Sequence, residues 1–262
     1  MIKSKNKVLL SFDIEEFDFP RERGEKISVA EGVKISSEGA KKILEVLKKN
    51  KVCATMFVTG NFAKENPKLV QKIVENGHEI ACHGVDHFAP NPTDIKESKK
   101  IIWEISGLKP KGYRQPRMFK IDYEELKRCG FEYDSSVNPA FIPGRYNNLR
   151  TPRRPFKKHG VVEVPTSAAT FLRIPLFWLA LHLFPKRVYL SLAKSALKRQ
   201  EYFTTYFHPW EFTDLKKFSV VPGYIKKNSG DKLVARLNWL ILELKKFGAE
   251  FLTYDEFVQK ML

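Results

Sequence analysis

Cysteine is scarce: Cys53, Cys82 and Cys129 are the only three in 262 residues, and no CxxC pair occurs. That excludes a disulfide framework and predicts a reducing compartment. No stretch reaches the ~20 apolar residues needed to span a bilayer. The apolar run that follows Lys7 is too short for a signal-peptide core and leads directly into acids, so a cytoplasmic protein is expected. There is no internal repeat, low-complexity segment or clear linker, so one domain over 1–262 is expected.

What is present is a globular composition, 43% hydrophobic and 29% charged. The net charge of +16 fits an anionic partner (a membrane leaflet, a phosphorylated carrier or nucleic acid) or simply a solvated basic surface. The cations are spread among 30 acids and show no interleaved aromatic pattern, which argues against nucleic acid.

Short apolar or aromatic runs predict strands at 8–12, 52–58, 78–82, 112–114, 131–134, 161–164, 202–207 and 249–252. Apolar residues at helical spacing predict helices at 36–50, from Pro67 to Gly77, from a Thr93 cap to about 106, and at 122–129, 231–247 and 254–261. Alternating strands and helices argue for a parallel sheet, and ionisable residues recur just after strands, where a β/α barrel places its chemistry.

Four constellations stand out. Asp13 and Glu15 end the first strand and, two apart, can share a face. Two carboxylates there repel unless a cation or a shared proton relieves them, although a surface turn would also suit them. His83 and His87 lie at i and i+4, on one face if the loop makes a helical turn. With one carboxylate they would form an open catalytic metal site; as surface histidines they would do nothing. Arg114 ends a strand and could pair with Asp13. His208 ends an aromatic strand, suiting a general acid or a histidine at the core edge.

In order and spacing, these segments resemble the polysaccharide deacetylase family, also called carbohydrate esterase family 4. Residues 53–60 resemble its second strand, and 74–87 its metal-histidine segment. Tyr113-Arg114-Gln115-Pro116 resembles its arginine motif, and Tyr133-Asp134-Ser135-Ser136 and Phe207-His208-Pro209-Trp210-Glu211 resemble later motifs of the allantoinase-like branch. The resemblance implies a distorted (β/α)7 barrel holding one divalent cation, zinc with cobalt or nickel as substitutes. It implies that Asp13 is the general base, Arg114 its partner, and His208 the general acid. His83 and His87 would be metal ligands. Arg117 stands where the family places an oxyanion-binding backbone amide, and Arg117 and Trp210 are taken as substrate contacts. Family members carry two adjacent aspartates in the first motif, but here Ile14 follows Asp13. Glu15 is therefore the expected third ligand, with Glu16 as the alternative.

The implied function is removal of an N-acyl group, N-acetyl above all, from a sugar of a cell-surface polysaccharide or its lipid-linked precursor. The alternatives are a cyclic-amide hydrolase of the allantoinase kind and a catalytically silent glycan- or membrane-binding barrel. Residues 171–200 form an expected helical insertion. It either lays an aromatic face on an anionic membrane from the cytoplasmic side, or packs over the barrel, or forms an oligomer contact. Arg145, Arg150, Arg153, Arg154, Lys157 and Lys158 form a basic loop suited to a phosphate or an acidic glycan, or merely solvated.

Overall fold

The computed structural model describes residues 6–144, 146–170 and 172–261. Met1 to Lys5, Arg145 of the basic loop and Phe171 at the start of the expected insertion lie outside the described residues.

Strand β1 (Asn6–Ile14) is buried from Val8 onward, as a strand covered on both faces must be. Its side chains alternate. Val8, Leu10, Phe12 and Ile14 join the outer core beneath the helices, whereas Leu9 joins Phe57, Tyr133, Tyr202 and Tyr254 inside the curl. The remaining main strands are β2 (Thr55–Val58), β3 (Glu79–Cys82), β4 (Gly112–Tyr113), β5 (Tyr133–Asp134), β6 (Val161–Glu163) and β7 (Tyr202–Phe207). They hydrogen-bond in the order β7-β1-β2-β3-β4-β5-β6, every pair parallel. Phe156–Lys158 adds an antiparallel edge to β6, and Ala249–Phe251 pairs with the start of β1.

No ladder joins β6 to β7 among the described residues, but the chain after β6 bridges the gap. Ser167 N–H donates to Thr204 O at 3.4 Å, Thr204 N–H donates to Ser167 Oγ at 3.0 Å, and Tyr202 Oη–H donates to Pro165 O at 2.7 Å. The sheet thus curls into a distorted barrel of the (β/α)7 kind.

The first helix runs Val29–Asn50, longer than expected, because Ser28 Oγ caps it by accepting from Glu31 N–H at 3.1 Å. Its opening turns carry Gly32 and Gly39, which gave no apolar periodicity to read. Gly39 is required where it stands. A Cβ there would lie 1.7 Å from the carbonyl oxygen of Pro209, in the turn that carries His208 and Trp210. Gly39→Ala is expected to destabilise the fold by about 3 kcal/mol or more, because the obstacle is backbone that cannot rotate away. Urea unfolding checks this, and an unchanged midpoint would refute the contact.

Other boundaries differ for local reasons. The helix expected to start from a Thr93 cap is Ile95–Ser106, and Asn91 caps the 3-10 turn before it by accepting from Thr93 N–H. Gly60, expected only to close β2, opens a short helix Gly60–Glu65 that Thr59 caps.

The segment expected as an insertion divides at Phe184 and Pro185. Lys186–Gln200 is the barrel's own crossover helix before β7 and buries Tyr189, Leu190, Ala193, Ala196 and Leu197. Trp178–Leu183 is a short helix whose aromatic side turns inward, Trp178 reaching His208 and Trp210 at ring-centroid distances of 5.4 and 5.8 Å. The inner side of this helix therefore packs over the barrel. Leu172 and Leu183 remain exposed. Among the described residues no helix is long and apolar enough to cross a membrane. In the basic loop, Arg153 donates to Thr170 O, and Arg154 pairs with Glu201, so both hold the loop to neighbouring chain.

Candidate active site

Asp13, Glu15, His83 and His208 stand at or just beyond the C-terminal ends of barrel strands, around a cavity of about 150 Å³, and Arg114, just beyond its own strand, lies buried against Asp13. Gln115, Arg117, Met118, Trp178, Tyr206 and Trp210 complete much of its lining.

Arg114 is fully buried and its guanidinium makes four hydrogen bonds. Nη1 donates to Asp13 Oδ1 at 2.5 Å, Nε to Ser135 O at 3.0 Å, and Nη2 to Ser135 Oγ and Tyr254 Oη at 3.1 Å each. The guanidinium also lies 3.9 Å from the centre of the Phe57 ring. One oxygen of Asp13 is thereby fixed. The other, Oδ2, faces the cavity 3.9 Å from His83 Nε2 and 4.0 Å from His208 Nε2.

The two histidines come together without a helical turn. Gly84 adopts φ +67°, a conformation glycine takes freely, and a Cβ there would meet Pro116 Cγ at 2.8 Å. His83 Nδ1–H donates to Arg114 O at 2.8 Å, and His87 Nδ1–H donates to Asp18 Oδ2 at 2.8 Å. A carbonyl can only accept and an ionised carboxylate does the same, so both rings spend Nδ1–H on these partners and turn Nε2 toward the cavity, where the neutral ring offers a lone pair. These nitrogens lie 3.4 and 3.0 Å from Glu15 Oε2, an oxygen that is buried and receives no hydrogen bond. Glu15 Oε1 accepts from the Trp210 indole N–H at 3.2 Å. Three candidate ligand atoms thus converge, each ring held from behind as metal-ligating histidines are. The donor set fits a divalent cation of the zinc class.

Charge follows the same layout. Burial pushes the Glu15 carboxyl up, but His87, His208 and His83 outweigh it and hold the pKa at about 2. Burial disfavours a charge on His87, yet Glu15 and Asp18 carry its pKa to about 9. Protein charges alone therefore place protons on the imidazole side, which cation binding would displace. Glu16, the alternative ligand, points elsewhere. Its Oε2 accepts from Thr59 Oγ1 at 2.9 Å, and burial raises its pKa to about 7.

His208 stacks on Trp210 with ring centroids 5.1 Å apart. Its Nδ1–H donates to Glu211 Oε1 at 2.9 Å, leaving Nε2 toward the cavity, 4.0 Å from Glu15 Oε1. Burial opposes its protonation, but Glu15, Glu211 and Asp13 hold its pKa above the ordinary value.

Arg117 and Trp210, the two expected substrate contacts, both line the cavity, but their side chains are engaged by protein. Trp210 is only 3% exposed and holds Glu15 and His208. The Arg117 guanidinium donates to His87 O and Phe88 O and pairs with Asp18 and Glu22, so it staples the His87 loop. Its backbone is left-handed, at φ 59°.

Asp18, Tyr254, His182 and Trp178 complete the surroundings with no role expected from sequence, together with Ser135 and Glu211, which were expected only as members of the later motifs. Asp18 and Glu211 carried a chemical signal, because a histidine that must present Nε2 needs an acceptor for its other nitrogen.

A family model described as polysaccharide deacetylase matches residues 2–133. The chain is 32% identical over 121 residues to peptidoglycan-N-acetylmuramic acid deacetylase PdaA of Bacillus subtilis, a match covering 42% of this chain and 45% of that protein. It thus spans less than half of that relative. A Mycobacterium smegmatis structure assigned as a polysaccharide deacetylase superposes with TM-score 0.67 at 19% identity, covering 99% of this chain and 91% of the other. The allantoinase PuuE superposes with TM-score 0.63 at 15% identity, again over 99% and 91%. At such identities the structural likeness is one of fold.

Proposed function

This chain belongs to the polysaccharide deacetylase family, and from the site it carries we infer that it is a metal-dependent hydrolase removing an N-acetyl group from a sugar unit of a glycan. The carrying observation is the convergence of Glu15 Oε2, His83 Nε2 and His87 Nε2 on a buried point flanked by Asp13 and His208. The peptidoglycan deacetylase among its relatives supports a glycan substrate.

Glu15, His83 and His87 would hold the cation, which supplies Lewis-acid polarisation of the amide carbonyl and a more acidic bound water. Asp13 Oδ2, the oxygen not engaged by Arg114, takes the proton of the attacking water. His208 Nε2–H delivers a proton to the nitrogen as the C–N bond breaks, leaving acetate and a free amine. Trp178, Tyr206 and Met118 add apolar surface to the lining of the cavity that would receive the acyl group.

Elemental mass spectrometry tests the premise. The purified chain is expected to carry about one divalent ion, or to take one up from zinc, cobalt or nickel, and His83→Ala/His87→Ala to carry almost none. Acetate release from an N-acetylglucosamine oligomer is expected, and ring opening of allantoin is not. The reverse substrate result would favour the cyclic-amide reading. A wild type that cannot be loaded would favour a silent binding barrel.

A further inference from the structure

Glu211 is wholly buried, and both of its oxygens are engaged by histidine. Oε1 accepts from the backbone N–H of His208 at 2.6 Å and from its Nδ1–H at 2.9 Å. Oε2 lies 2.8 Å from Nε2 of His182, which comes from the short helix Trp178–Leu183. His182 is itself buried, and its Nδ1 has no hydrogen-bond partner. A carboxylate accepts, so His182 presents Nε2–H to Glu211 and contributes nothing through its other nitrogen.

That arrangement is an expensive way to fill space. An orphaned ring nitrogen in a core is unfavourable, and an aliphatic side chain would pack without it. What His182 does supply is the one donor that Glu211 Oε2 receives among the described residues. Without it a dehydrated carboxylate would keep two donors on one oxygen and none on the other, and would turn to share them. The carboxylate plane sets the plane of the His208 ring, because Nδ1–H must stay on Oε1 for Nε2 to face the cavity. Trp178, one helical turn before His182, closes the same unit by lying edge-on to His208 and to His182 at centroid distances of 5.4 and 5.9 Å.

We propose that His182 is a positioning residue: through Glu211 it fixes the ring orientation and tautomer of His208, making the helix Trp178–Leu183 part of the active site. This rests on the reading of His208 as the proton donor to the departing amine.

The test exploits the leaving group. An amine must be protonated to leave, whereas the phenolate of 4-nitrophenyl acetate leaves without a proton. In the metal-loaded chain, His182→Leu is expected to lower kcat for acetate release from an N-acetylglucosamine oligomer by roughly 10–100-fold, the usual effect of losing such an outer support. Its KM, its metal content and its hydrolysis of 4-nitrophenyl acetate should stay close to wild type. His182→Gln, whose side-chain N–H can reach the same carboxylate oxygen, should recover most of the amide activity. Equal losses on both substrates, or no rescue by a folded glutamine variant, would reduce His182 to packing and overturn the inference. Unchanged amide turnover in His182→Leu would overturn it alone. A wild-type chain that hydrolyses the ester but never the amide would remove the acid role of His208, and the inference with it.

Discussion

Asp13→Asn is expected to leave the metal in place and to lower amide turnover by about 10²–10⁴-fold, the range that a positioned general base supplies. Asparagine keeps the shape of the side chain and can still accept from Arg114 through Oδ1. What it loses is Oδ2, the oxygen that faces the cavity 3.9 Å from His83 Nε2 and 4.0 Å from His208 Nε2. An amide nitrogen in that place cannot take a proton from water. Metal retention is expected because Glu15, at 3.4 and 3.0 Å from the two ligand nitrogens, is the nearer carboxylate. Some stability should be lost as well, since Arg114 keeps its charge in a fully buried place. Turnover, metal content and urea unfolding on one preparation separate these effects. Turnover within tenfold of wild type would remove Asp13 as the base. Loss of the metal would make Asp13 a ligand.

The parts of this site that could be read from sequence are those set by short-range geometry. The two-residue period of a strand put Asp13 and Glu15 on one face, and the end of β1 put that face at the barrel mouth. Glu15 stands beside His83 and His87, whereas Glu16 turns to Thr59. The pairing of His83 with His87 was also legible, but not its means, because one left-handed glycine does what a helical turn was expected to do.

What could not be read is carried by contacts distant in sequence. Arg114 is held by Ser135, 21 residues on, and by Tyr254, 140 residues on. No local periodicity reports such partners. Trp178 and His182 sit in an apolar run whose composition suits a membrane surface as well as a barrel. The packing of Trp178 on His208 and of His182 on Glu211 sets which side of that run faces the barrel.

Arg114→Leu should be the most destabilising single change at this site, by about 3–5 kcal/mol, because it strands the Asp13 carboxylate in a place that is 3% exposed. It also removes the donors to Ser135 O, Ser135 Oγ and the Tyr254 hydroxyl. Arg114→Lys keeps the charge but not the planar fork, and so should fall between wild type and the leucine variant. Turnover should fall with Leu even where the chain stays folded, since Oδ1 of Asp13 loses its anchor and Oδ2 its aim. The decisive comparison is the double variant Asp13→Asn/Arg114→Leu, measured by urea unfolding. Most of the penalty is expected to come from an unpaired buried charge, so removing both charges should destabilise by clearly less than the sum of the two single changes. A non-additivity of about 1 kcal/mol or more would establish the pair as coupled. Simple additivity would mean that each residue is held by its other contacts. Arg114 would then be a strut between strands, and the orientation of Asp13 would have to come from β1 itself.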